Sequence, residues 1–163
     1  MKKAFSIIEI LIVVAILGII AAIVVPQFIN HTENAKAAVA KDNLMILRGV
    51  IELYELQHGG TPPGYMNNLQ LPGIMIPNQL TRYTSKTGDS SLTKSQTYCY
   101  GPYLKKMSVN SFNNKSTILS LNEDDAFPEP PYGTYGWIYK PATKDIRIDW
   151  YGTDKDGVEF YDY

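Results

Sequence analysis

The sequence predicts an α+β fold: one long amino-terminal helix, hydrophobic in its first half and amphipathic in its second, followed by a head that ends in a small antiparallel sheet. Three observations carry this. Residues Ile10 to Thr32 include no charged side chain. Apolar residues then recur at helical spacing among charges as far as Gln57. Near the carboxyl terminus, aromatic and β-branched residues alternate with polar ones on both sides of a turn. The totals conceal this segregation: 163 residues, 45% hydrophobic, 19% charged and a net charge of -1 are those of an ordinary soluble domain. Glu123 to Tyr163 nevertheless holds ten acidic side chains against four basic ones. The expected organisation is a leader at 1–4, a membrane-spanning or assembly-core helix half at 5–25, an amphipathic half at 26–58 and a head at 59–163.

The amino terminus opens with Met1-Lys2-Lys3-Ala4, a short basic stretch, then Phe5-Ser6-Ile7-Ile8-Glu9 and sixteen residues, Ile10 to Val25, with nothing more polar than Gly18. Three readings compete. A secretory signal peptide has this basic start, but its best cleavage position, after Ala22, places Ile20 where a small residue belongs. A plain transmembrane helix needs about 20 apolar residues, and Phe5 to Val25 supplies 21, yet it leaves Glu9 unexplained. A carboxylate in a bilayer costs about 2.5–3.5 kcal/mol on insertion scales and calls for a partner. The third reading provides one. A cut between Ala4 and Phe5 creates an α-amino group four residues from Glu9. In a bundle of staggered helices, the Glu9 carboxylate of one subunit meets the amine of the next. Each charge compensates the other in a low-dielectric core, and a register error leaves both unpaired.

Lys3-Ala4-Phe5-Ser6-Ile7-Ile8-Glu9-Ile10-Leu11 resembles the prepilin signature of type IV pilins and of the pseudopilins of type II secretion systems. The resemblance implies that a prepilin peptidase removes the leader between Ala4 and Phe5, that Phe5 is then N-methylated, and that Glu9 is required for assembly. It also implies the pilin fold, insertion in the inner membrane as a single-pass precursor, and polymerisation by an inner-membrane platform and its ATPase into an extracellular pilus or a periplasmic pseudopilus. Ala4 departs from the glycine usual before the cut while keeping the small side chain the cut requires.

Pro26 removes one helix hydrogen bond and clashes with the carbonyl four residues back, so a kink or local opening is expected over Ala22 to Pro26. In the related family a proline there marks a segment that loses helicity in some filaments; a bend steering the chain off the membrane is the alternative. Beyond it, Val39, Ile46, Val50, Leu53 and Leu56 recur beside Lys36, Lys41, Asp42, Arg48, Glu52 and Glu55. Gly59-Gly60 and Pro62-Pro63 end the helix. Continuous from Phe5 to Gln57, it would run about 80 Å at 1.5 Å per residue. A head can cover only its second half, so the first half must find lipid and then sister subunits.

In the head, Thr61 to Pro102 is rich in Pro, Gly, Asn, Ser and Thr and reads as loops with a turn or two of helix. Tyr135, Trp137 and Tyr139 alternate on one strand, Lys140 to Lys144 turns, and Ile146, Ile148 and Trp150 alternate on the next, with Val158 and Phe160 as a third. Cys99, the single cysteine, excludes an intramolecular disulfide and reads as a buried or half-buried side chain. His31 and His58 lie in no nucleophile motif, and there is no phosphate loop, HExxH or CxxC, so the chain reads as non-enzymatic. Gly101 to Lys106 and Gly59 to Pro62 resemble segments of the major pseudopilins, although Asn110 to Asn114 replaces their Asp-Pro-Trp-Gly-Asn. Those pseudopilins are stabilised by calcium, for which Asp149, Asp154 and Asp156 offer hard oxygen ligands; a solvated acidic turn accounts for the same residues. Arg82 to Lys115 carries six basic residues interleaved with Tyr83, Tyr98, Tyr100 and Tyr103, a pattern compatible with nucleic acid but more often solvated surface. The functional reading is a structural subunit, a pilin, of a type IV pilus-like homopolymer. A major pseudopilin is the alternative, and an adhesion or DNA-uptake pilin a minor one. Basic and acidic regions on neighbouring heads would meet.

Overall fold

A computed structural model of the chain describes residues 6–163, with the backbone alone at 25–31. The first element, α1 (Ile7–Gln57), is a 51-residue helix, followed by β1 (Tyr65–Met66), β2 (Leu69–Gln70), a 3-10 turn (Gly73–Met75), α2 (Ile76–Thr81), β3 (Tyr83–Thr84), β4 (Ser90–Ser91), β5 (Ile118–Ser120), β6 (Trp137–Lys140), β7 (Asp145–Ile148) and a final 3-10 turn (Phe160–Asp162). The chain divides into two compact units after Ala35. The backbone is α-helical across Pro26.

Within the second unit, α1 buries Ala37, Ala40, Leu44, Leu47, Ile51 and Tyr54. These recur at alternating three- and four-residue steps, which keeps them on one face of a 3.6-residue helix. The sequence pointed to a neighbouring row, and the structure corrects it: Val39, Ile46, Leu53 and Leu56 are exposed, and only Val50 packs partly on the core. Both rows are apolar, and the head selects the one that carries Tyr54 and the two alanines. Arg48 donates from Nη2 to the Ile146 carbonyl at 3.2 Å, and Lys144 pairs with Glu55 at 3.0 Å, tying the helix to the sheet.

The helix ends as its glycines require. His58 and Gly60 donate their amides to the Tyr54 and Glu55 carbonyls, with Gly59 and Gly60 at φ of 67° and 91°, values that only glycine adopts readily. His58, 4% exposed, stacks on Tyr54 with ring centroids 3.7 Å apart. Its Nδ1 donates to the Tyr54 carbonyl at 2.8 Å and its Nε2 accepts from the Thr84 hydroxyl at 3.1 Å, the neutral tautomer.

The hairpin β6–β7 is antiparallel, as predicted, and its register places Trp137 opposite Ile148 and Tyr139 opposite Ile146. The third strand is a correction: it is β5, which lies parallel to β6, so the sheet is mixed with order β5-β6-β7. Val158 forms no strand, and Phe160 opens the final 3-10 turn. The sheet is also buried on two faces where one was expected. Trp137, Tyr139, Ile146 and Ile148 face α1, while Ile138 packs under Leu121 and Tyr161 on the other side. A Cβ on Gly136 would sit 2.3 Å from the Lys115 carbonyl, so this approach of two loops admits only glycine. Cys99 is exposed, contrary to the sequence reading, because it lies in the 92–99 loop outside the core.

Two predictions follow from this packing. Leu47→Ala should destabilise the fold by about 2–5 kcal/mol, whereas Ile46→Ala should change it by about 0.5 kcal/mol or less, both read by thermal melting of the full chain in detergent. Burial holds the His58 pKa below the ordinary imidazole value, against the pull of main-chain hydrogen bonds to Tyr54 and Ser85. On acidification the unfolded chain therefore takes up the proton first. Stability should fall as pH drops below about 6.5 and level off beneath the folded-state pKa. His58→Gln should flatten that part of the melting profile.

Candidate assembly helix and carboxyl-terminal loops

The helix half that begins at Ile7 is the first candidate site. Ser6 starts it: its carbonyl accepts from the Glu9 and Ile10 amides at 3.1 and 3.2 Å. Glu9 therefore lies in the first turn, where the unpaired amides favour a negative charge by about 0.3–1 kcal/mol. Its side chain is exposed. Ile7–Val24 has a mean hydropathy of 3.2 and is long and apolar enough to cross a membrane. None of that window is buried by the described chain, and Ile7 is 86% exposed. No lysine or arginine occurs between Glu9 and Lys36, and Ile10 to Asn30 has no ionisable side chain, so the helix offers this carboxylate no cation within its own apolar half. The predicted cleavage between Ala4 and Phe5, and the predicted methylation of Phe5, fall outside the described residues. The Pro26 side chain does so too.

The second candidate is the carboxyl-terminal loop region, where Asp149, Asp154 and Asp156 were expected to offer calcium ligands. The structure gives each a separate task. Asp149 is fully buried, and its two oxygens accept from the Gly133 amide at 2.8 Å and the Tyr135 amide at 2.7 Å. Asp154 Oδ1 accepts from the amides of Asp156 and Val158, each at 2.9 Å, and its Oδ2 from the Tyr163 hydroxyl at 2.7 Å. The Tyr163 hydrogen bond, then these amides, hold the Asp154 carboxyl below the usual range. Burial, with Asp154 adding to it, pushes the Tyr163 hydroxyl up to about 12. Asp156 pairs with Lys155 at 2.8 Å. Among the described residues no three His, Cys, Asp or Glu side chains converge as a metal site.

Sequence reasoning missed Asn110 and Asn113. Asn110 is buried, donates to the Gly136 carbonyl at 3.1 Å and accepts from the Phe112 amide at 2.9 Å; Asn113 donates to the Tyr135 carbonyl at 2.6 Å and accepts from the Lys115 amide at 3.0 Å. They fasten the loop ahead of β5 to the approach to β6. The turn-forming habit of asparagine was the available signal. The tyrosines of the basic stretch are partly committed elsewhere: Tyr98 donates to Asp89 at 2.6 Å, Tyr103 to Gln57 at 2.8 Å, and Tyr100 packs against His58.

Residues 1–25 match the prokaryotic N-terminal methylation motif. The chain is 39% identical over 119 residues to the type II secretion system core protein G of Pseudomonas aeruginosa, covering 73% of this chain and 74% of that protein. The core protein G of Escherichia coli strain K12 is 21% identical over 156 residues, covering 91% of both. The type IV major pilin protein PilA of Myxococcus xanthus is 49% identical over 46 residues, 28% of this chain and 21% of that one. No solved structure matches. An identity of 39% over nearly three quarters of both chains, together with the amino-terminal motif and the α+β pilin fold, means that the chain belongs to the type IV pilin and type II secretion pseudopilin family.

Proposed function

We propose that this chain is the structural subunit of a pilin-like filament, made as a membrane-inserted precursor, cut between Ala4 and Phe5, methylated on Phe5, and polymerised through α1. The observation that carries this is the uncovered apolar helix with one carboxylate near its start. Exposing a large aliphatic side chain forgoes about 1.5–3 kcal/mol relative to burial, and thirteen of the residues of Ile7–Val24 are Ile, Leu or Val. Lipid covers them in the precursor, and sister helices cover them in the filament. The pairing of Glu9 with the amine of a neighbouring Phe5 then fixes the stagger, because any other register buries two uncompensated charges. A prepilin peptidase, an inner-membrane platform and an ATPase are the partners this requires.

The extent of likeness to core protein G, reaching well into the head, favours a type II secretion pseudopilin. The higher identity to PilA is confined to 46 residues, 28% of this chain, and gives the pilus reading narrower support.

Glu9→Ala should yield a processed, membrane-held monomer and no filaments, scored by shearing and immunoblotting; normal filaments from that variant would remove the pairing from the account. Deleting the gene separates the two destinations. Loss of exoprotein export with surface fibres intact identifies the pseudopilin, and loss of fibres with export intact identifies the pilin.

A further inference from the structure

Among the described residues, the head keeps two charged regions without ion-pair partners. The ion pairs among the described residues join Lys144 to Glu55, Arg147 to Asp145 and Asp162, and Lys155 to Asp156. None uses a basic side chain of the Arg82 to Lys115 stretch, and none uses Glu123, Asp124 or Asp125.

Lys86 lines a cleft of about 520 Å³ at the end of α1, beside Asn67, Asn68, Thr87 and the buried Tyr54 and His58. No carboxylate lines it. The Tyr54 hydroxyl is buried without a hydrogen-bond partner, an unmet polar group in the wall. The carbonyls of the last helical turn at Tyr54 and Glu55 are already taken by His58 and Gly60, so the Lys86 ammonium sets the sign of the cleft. The complementary feature is the turn that follows β5. Asp125 Oδ2 accepts from both the amide and the side chain of Asn122 at 2.8 Å, which closes the turn. Lys140, close by, donates to the Asp125 main-chain carbonyl and not to a carboxylate. Glu123 and Asp124 are left side by side, exposed and unpaired.

From this charge complementarity we infer that the Lys86 cleft of one copy receives the Glu123-Asp124 turn of a second copy, as a head-to-head contact in the assembled filament. The contact rests on the filament reading and adds to it a site, a partner segment and a sign. Screening over about 8 Å at physiological salt makes such a contact short in range and weaker as salt rises.

Zero-length carbodiimide coupling of filaments formed by the full chain, followed by peptide mapping of the dimer band, tests it. The expected product is an isopeptide between Lys86 and Glu123 or Asp124. Lys86→Glu alone and Glu123→Lys with Asp124→Lys should each lose filament yield, and combining all three should recover it, since every junction then carries the reversed pair. Filaments whose dimers link Lys86 to no carboxylate of a second copy, or only to a different protein, overturn the contact and leave the filament reading standing. So does a combined variant no better than the worse single one. A processed wild-type chain that stays monomeric overturns both.

Discussion

Covering apolar helical surface is the constraint on which the rest of this structure depends. The second half of α1 meets it with its own chain: Leu44, Leu47, Ile51 and Tyr54 lie under a sheet whose strands supply Trp137, Tyr139, Ile146 and Ile148. The first half meets it with nothing the described chain provides. A single helix thus links a self-sufficient head to a segment whose stability is borrowed from its surroundings. Because the hydrophobic effect is non-directional, lipid and sister helices serve equally well as cover. That equivalence is what allows one segment to anchor a precursor and then line a filament.

Non-directional burial cannot fix a register, and here the single carboxylate becomes informative. Glu9 costs stability wherever it is buried alone, and the apolar segment around it carries no cation. In the filament proposed above, a pair formed only between molecules would convert that cost into a choice of stagger, in the way buried polar groups set register in helical assemblies. The head handles its internal charge differently. Asp149 is fully buried but holds two loop amides, and Asp154 organises the last turn through two amides and Tyr163. These carboxylates work as local fasteners of loops that no disulfide closes.

Much of this was legible in the residues. The uninterrupted apolar run, the spaced glutamate, the glycine-terminated helix and the Trp137 to Ile148 hairpin each rest on local chemistry that sequence displays directly. The misreadings have a common origin in tertiary choice. Two adjacent apolar rows run along the second half of α1, and only the head decides which is buried. The third strand came from residues 118–120, not 158–160, because parallel pairing joins segments distant in sequence and leaves no turn signal. Asp149 looked like a surface ligand because its spacing shows nothing of the Gly133 and Tyr135 amides that fold over it. Asn110 and Asn113 show a turn-forming habit in the sequence, but not the Gly136 and Tyr135 carbonyls on a distant segment to which they donate.

The central claim is that assembly uses an amine created at Phe5 to compensate Glu9. Intact mass and amino-terminal sequencing of the protein taken from cells test it most directly. The account predicts a chain that begins at Phe5 and carries one added methyl group on its amine. A chain that still begins at Met1, or one cut after Ala22 with the apolar segment removed, would contradict it.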